Sequence, residues 1–303
     1  MRRRLGQYDL VGLGWRTELA PSILSNLDQI DVVEVIIDDY FKASLHKLRA
    51  LRTLNSQVQV IYHGVGLGLA TSLRVDQKRL DRLAKVVDYL APEVWSEHLA
   101  FVRAGGVEIG HLAAPPRTVH TIEGALENLA RIKKTVGSCP VLENIATLID
   151  PPGSKMPESQ WVREILEGSN CNLLLDLNNL YTNAVNFGHD PVRYLKSFPL
   201  HQVRLVHLSG GKWIPEPKGF ESRIDGRRLL DDHIHDVPDS VYDLLRVLAE
   251  TVPQPLTVII ERDGEFPEFD LLLKQIRKAK DILKEGRSRR ILSQRGLLEC
   301  SVF

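Results

Sequence analysis

The sequence predicts an α/β chain folded as a single (β/α)8 barrel, and three observations carry that expectation. Eight short apolar runs recur along the 303 residues, amphipathic stretches separate them, and the length suits one large barrel. The runs are VGLGWR from Val11, VVEVIID from Val32, VQVIYHGV from Val58, EVWSEHLAF from Glu93, PVLENIA from Pro140, NLLLDLNN from Asn172, VRLVHLSG from Val203 and PLTVIIERD from Pro255. Most are continuous rather than alternating, as expected for parallel strands covered on both faces. The clearest helical stretches run from Lys42 to Leu54, Val75 to Leu90, Ile122 to Val136, Glu158 to Glu167, Asp239 to Ala249 and Pro267 to Leu283. Pro157, and Asp190 followed by Pro191, mark helix starts, because proline suits a first turn and aspartate caps it. A doubly wound sheet usually has fewer strands, so the barrel is assigned to residues 1–285 as one catalytic domain. The remaining GRSRRILSQRGLLECSVF, residues 286–303, reads as a C-terminal tail or docking segment. Two longer connections, Arg103 to Arg117 and Lys212 to Leu230, follow strands and are candidate substrate loops.

With 43% hydrophobic and 26% charged residues, the composition is that of an ordinary globular protein. Its 39 basic and 39 acidic residues cancel, so no overall field draws in nucleic acid or an anionic membrane. No run approaches the roughly 18 apolar residues that span a bilayer. MRRRLGQYDL carries charge without a following apolar segment. A soluble cytoplasmic protein is therefore expected. Cys139, Cys171 and Cys300 are odd in number and lack C-x-x-C spacing. They are expected to be buried structural thiols in a reducing compartment, and no thiolate metal site follows from them.

The chemistry-bearing residues lie at one end of six successive strands. His63 ends the third, Glu97 and His98 the fourth, Glu143 and Asn144 the fifth, Asp176, Asn178 and Asn179 the sixth, His207 the seventh, and Glu261 and Asp263 the eighth. Barrel active sites occupy that C-terminal rim. A lone strand-end histidine or aspartate more often caps a loop, but six strands in register aim too many ionisable groups at one mouth for that. Burying them together unpaired would be costly. Residues two apart on a strand share a face. Asp176 is thus expected to face the same way as Asn178, Val141 as Glu143 and Ile259 as Glu261, each polar residue continuing an interior row. Glu97 and His98 are adjacent, so one faces inward, and His98 is the better ligand. In DDHIHDV, Asp231 and His233 offer an oxygen and a nitrogen to one ion.

The candidate ligands are His63, His98, His207, His233, Glu143, Asp176, Asp231, Glu261 and Asn178. Nine exceed what one ion takes, and four carboxylates in one cavity would repel and raise each other's pKa unless two or three cations balance them. Mixed nitrogen and oxygen donors without thiolate suit iron, manganese or zinc. Glu143, Asp176 and His207 are the candidate catalytic residues within this set.

These residues, in this order, resemble the multinuclear non-heme iron-dependent oxidative enzymes, a barrel family that modifies ribosomally made peptides. The likeness spans roughly Val11 to Leu283. It is carried by GLGWR at Gly12, HGVGLGL at His63, SEHLAF at Ser96, LENIA at Leu142, LLLDLNNLY at Leu173, VHLSG at Val206, DDH at Asp231 and ERDGEFP at Glu261. The resemblance implies a xylose-isomerase-like TIM barrel whose nine residues above hold two or three iron ions of mixed Fe(II)/Fe(III) state, with Glu143 bridging two. It implies O2 as co-substrate and oxidative modification of a precursor-peptide residue such as Cys, Asp or Asn. A separate leader-peptide-binding partner protein is implied too. Ser209, Gly211, Phe187 and Gly68 stand where the family commonly has alanine, histidine, histidine and serine.

Two other readings fit parts of the pattern. A divalent-metal-dependent isomerase or phosphodiesterase of the xylose-isomerase-like type also uses rim histidines and carboxylates, and predicts a Lys or Arg close to the metals for phosphate or sugar oxygens, for which Arg16, Lys212 and Arg262 could serve. A non-catalytic barrel with structural metals would recruit partners through its tail.

Overall fold

A computed structural model of the chain describes residues 5–104, 106–216 and 226–300, with side chains as far as residue 294. The middle of the Lys212 to Leu230 connection and the Cys300 side chain lie outside the described residues. The strands are β1 (Leu10–Gly14), β2 (Val32–Ile36), β3 (Gln59–Gly64), β4 (Trp95–His98), β5 (Phe101–Ala104), β6 (Val107–Ala113), β7 (Val141–Glu143), β8 (Leu173–Asp176), β9 (Val203–Leu208), β10 (Gly211–Pro215), β11 (Arg227–Asp231) and β12 (Thr257–Ile260). Eight of them close into a barrel in the order β1-β2-β3-β4-β7-β8-β9-β12. Every neighbouring pair is parallel. All eight apolar runs read from the sequence supply one barrel strand each.

The α-helices are α1 (Ala20–Ser25), α2 (Leu45–Gln57), α3 (Gln77–Leu90), α4 (Val119–Val136), α5 (Glu158–Ser169), α6 (Leu177–Phe187), α7 (Pro191–Ser197), α8 (Asp239–Thr251) and α9 (Phe269–Cys300). Their starts follow local chemistry. Ser44, Asp76 and Asp190 cap α2, α3 and α7 through side-chain oxygens, and Thr118 with Thr121 forms a reciprocal cap on α4. Pro157 stands one position before α5 rather than inside it.

Two apolar regions result. A large one fills the space between sheet and helices. The other is the barrel interior, where Leu10, Val32, Ile61, Val141, Leu174, Leu205 and Ile259 form a layer, one from each barrel strand except β4. Burying each such side chain contributes roughly 1.5–3 kcal/mol, so this plug fixes the strands rigidly beneath whatever the rim carries.

The structure departs from the sequence reading in three places. Strand β8 stops at Asp176, and the chain turns directly into α6, whose N-cap is Asp176. Asn178 therefore sits in the first turn of a helix, not on a strand face. The last helix does not end near Leu283 but continues to Cys300. Arg287 in that extension binds both carboxylate oxygens of Asp9 and the carbonyls of Ala249, Val252 and Gln254, which ties it to the barrel's base. The two long connections each form an antiparallel hairpin, β5-β6 and β10-β11.

Cys139 and Cys171 immediately precede β7 and β8, at the end opposite the polar rim, and both are free thiols. Burial pushes the Cys171 thiol up to about 11, so it stays protonated and unreactive at neutral pH. Replacing Cys139 with Ser and Cys171 with Ala is expected to leave metal content unchanged and to lower the melting temperature modestly. Metal lost from a folded double variant, measured by elemental analysis, would contradict these strand directions.

Candidate metal centre

The rim is built by strand parity. Two residues beyond each apolar interior position comes the next inward-facing residue. Val32 leads to Glu34, Ile61 to His63, Val141 to Glu143, Leu174 to Asp176, Leu205 to His207 and Ile259 to Glu261. On β4 the same row holds Ser96 and then His98. On β1 it holds Leu10 and then Gly12, where a Cβ would run into the Val32 carbonyl. Residues from seven strands thus meet in one layer, none more than 8% exposed.

Glu143 lies at the centre of that layer. Its Oε2 is 3.4 Å from His63 Nε2 and 3.2 Å from His98 Nε2, while its Oε1 is 3.2 Å from His207 Nδ1. His207 Nδ1 is also 3.2 Å from Glu261 Oε2. Two compact groups share Glu143: His63, His98 and Glu143, and Glu143, Asp176, His207 and Glu261. Within each group the donor atoms all lie within 4.8 Å of one another, so either group could hold a metal ion.

Asp176 is held by its neighbours. Asn144 Oδ1 accepts from the Asp176 amide at 2.9 Å, and Asn144 Nδ2 donates to the Asp176 carbonyl at 3.1 Å. One Asp176 oxygen accepts from the Asn179 amide at 2.6 Å, capping α6, while the other, Oδ2, is buried without a hydrogen-bond partner among the described residues. The remaining three predicted ligands lie beside the two compact groups and join them through contacts. Asn178 Nδ2 donates to Asp231 Oδ1 at 2.6 Å, Asp231 Oδ2 is 3.0 Å from His233 Nε2, and His233 Nδ1 is 3.2 Å from Glu261 Oε2. His233 has a left-handed backbone, φ 55°, held because its amide donates to Gly210 and its carbonyl accepts from Asp263. All nine residues named from the sequence therefore belong to one connected array. Glu97 turns the other way, its carboxylate accepting from the Leu67 amide at 3.3 Å and so organising the loop after β3.

Electrostatics match the geometry. Burial, with repulsion from Asp231, holds the Asp176 carboxyl well above the usual range. Burial acts to lower His207, but Glu261, Glu34 and Glu143 together hold it well above an ordinary histidine. His233 is raised in the same way, against burial, by Asp231, Asp263 and Glu261. His63 has weaker anionic company, and burial pulls it down to about 3, leaving a neutral ring with a free lone pair. Its Nδ1 is 2.8 Å from Ser96 Oγ, which leaves Nε2 turned toward Glu143. His98 Nδ1, Glu143 Oε2, Asp176 Oδ2 and Asn178 Oδ1 are buried without hydrogen-bond partners among the described residues. Each such atom costs about 1–3 kcal/mol if left so. Cations would satisfy the three oxygens, and the all-nitrogen-and-oxygen donor set suits borderline transition metals.

Sequence reasoning missed Glu34 and Ser96. Glu34 is the single carboxylate in the VVEVI strand, two residues after Val32, and the parity rule applied to the second strand would have found it.

Above the array opens a cavity of about 800 Å³. His98 and His233 reach it from below, and Phe101, Leu112, Leu148 and Leu230 wall it. The walls come from both hairpins and from the connection after β7. The model of the family described as RiPP precursor modification enzyme MbnB/TglH/ChrH matches residues 10–284, from the first barrel strand into the last helix. The chain belongs to this family. A UPF0276 protein of Streptomyces avermitilis is 37% identical to this RiPP precursor modification enzyme family member over 290 residues, which cover 92% of the chain. The chain spans 56% of that longer relative. A UPF0276 protein of Caulobacter vibrioides is 31% identical over 258 residues, covering 85% of this chain and 89% of its own. Among solved structures, an L-ribulose 3-epimerase superposes with a TM-score of 0.57 at 14% identity, covering 94% of this chain and 98% of its own. A D-psicose 3-epimerase from Clostridium cellulolyticum H10 does so with a TM-score of 0.53 at 10% identity, covering 93% and 99%. At such identities these epimerases share the barrel fold alone.

Proposed function

We propose that this chain is a multinuclear iron-dependent, O2-using oxidoreductase that modifies a residue such as Cys, Asp or Asn in a ribosomally made precursor peptide. The observation that carries this reading is Glu143, which turns one carboxylate oxygen to each of two donor groups. His63, His98, Glu143, Asp176, Asn178, His207, Asp231, His233 and Glu261 would hold two or three iron ions. When bound, mixed Fe(II)/Fe(III) ions would supply one-electron redox chemistry with O2 as co-substrate. Glu143, Asp176 and His207 are the proposed catalytic residues. Glu143 spaces the two positions, Asp176 presents the oxygen that its cap leaves free, and His207 fixes the seventh-strand side of the centre. The apolar walls of the cavity would exclude water and receive an extended peptide, with the reacting residue at the floor. The two hairpins that line it are the proposed substrate loops.

The same proposal includes a separate leader-peptide-binding partner protein, a cytoplasmic location, and catalysis by residues 1–285 with 286–303 outside the chemistry. Among the described residues no helix is long and apolar enough to cross a membrane. The second reading, a divalent-metal-dependent isomerase or phosphodiesterase, needs a cation free to bind sugar or phosphate oxygens. Arg16 is paired with Asp263, Lys212 lies 3.7 Å from Asp232, and Arg262 binds Asp236 and the carbonyls of Gly264 and Glu265. Among the described residues, the pairing of Arg16 and Arg262 supports the oxidative reading.

The test is to incubate anaerobically iron-loaded protein, with and without O2, with candidate precursor peptides drawn from any short reading frames adjacent to its gene. A peptide mass change that requires both iron and O2 is expected, with matching O2 uptake. Turnover by the zinc- or manganese-loaded protein without O2 would overturn the proposal.

A further inference from the structure

The His207 ring is held from both sides. Its Nδ1 faces Glu143 and Glu261, and its Nε2 lies 3.1 Å and 3.0 Å from the two carboxylate oxygens of Glu34. Glu34 is 1% exposed and His207 is completely buried. Glu34 belongs to neither compact donor group. A neutral imidazole has one N–H and one lone pair, and the hydrogen bond at one nitrogen decides which nitrogen can bind a metal. From this geometry we infer that Glu34 is a positioning residue: it accepts the His207 Nε2–H and so turns the Nδ1 lone pair toward the group formed with Glu143, Asp176 and Glu261. Ser96 does the corresponding work at His63 on the opposite nitrogen, engaging Nδ1 and leaving Nε2. The two histidines therefore present different ring nitrogens to the two positions that Glu143 joins. This inference rests on the metal-centre reading above.

The experiment measures metal number and affinity by anaerobic iron titration against a competing chelator, with elemental analysis at saturation. Glu34→Leu keeps volume without an acceptor, Glu34→Ala is made in case Leu does not fit, and Glu34→Gln retains an acceptor oxygen. In wild type at least two ions are expected. In the Leu or Ala variant one ion should bind about 10–100-fold more weakly, the usual cost of removing such an orienting partner, while the other is unaffected. Glu34→Gln should recover most of the affinity. His207→Ala should weaken that same ion measurably, and adding Glu34→Leu to it should weaken it no further, because Glu34 acts through His207. Wild type with two or more ions and an unaffected Glu34→Leu or Glu34→Ala variant would overturn the role of Glu34 alone. So would additive losses in the double variant. Fewer than two ions in wild type would overturn the metal centre and this role with it.

Discussion

Glu143→Gln is expected to fold, to bind at least one iron fewer than wild type, and to lose oxygen-dependent peptide modification by orders of magnitude. The carboxylate ends β7 above Val141 and is 1% exposed. Its two oxygens face different partners, so no single neighbour can replace it. Burial alone would raise its pKa, but His98 and His207 beside it hold it below the ordinary carboxylate range, so it stands ionised. Glutamine keeps the volume and removes the charge and one strong ligand oxygen, a loss on the scale of removing an essential metal group. A carboxylate that merely held the loop after β7 would behave oppositely. Its replacement would cost the metal-free protein about 1–3 kcal/mol of stability for a broken buried hydrogen bond and leave iron in place. Melting temperature, iron content and product mass measured on one preparation separate the two, and unchanged iron and activity would remove Glu143 from the centre.

The second large effect is expected from the metal itself. Elemental analysis after anaerobic loading should find two or three ions per chain, mainly iron, and chelation should abolish turnover. Affinity should rise with pH. In the metal-free chain His207 and His233 are held well above an ordinary histidine, and Asp176 well above an ordinary carboxylate, so loading must displace their protons. Proton release on loading, measured in weak buffer, should accompany binding, and acid should expel the ions. Metal-free stability should follow the other direction. The contribution of His207 and His233 is complete below the ordinary histidine value of about 6.5 and is lost as pH rises through their raised values. The lowered Glu261 contributes above the ordinary carboxylate value, and that is lost as pH falls through its depressed one. Bound ions at about 1,000 times their dissociation constant would add about 4 kcal/mol, so loading should raise the melting temperature most in mildly alkaline buffer. One ion or none at saturation, or a melting temperature indifferent to metal, would contradict the multinuclear centre.

The sequence alone determined the barrel and most of its rim. Parallel strands buried on both faces must be apolar runs, and helices that cover them must be amphipathic, so both signals are local and survive in one dimension. The same locality placed Glu143 above Val141 and Glu261 above Ile259, because side chains alternate along a strand whatever surrounds it. It misplaced Asn178, since the point where β8 becomes α6 depends on Asp176 capping the helix, a choice that Asn144 fixes from the neighbouring strand's end. It missed the role of Glu34, which is set by a histidine 173 residues away. Which oxygen of Glu143 faces which histidine, which nitrogen of His207 faces Glu34, and the bond from Asn178 to Asp231 were decided only when the barrel closed. Closure sets distances across the mouth between residues remote in the chain, and those distances leave no periodic mark in the sequence.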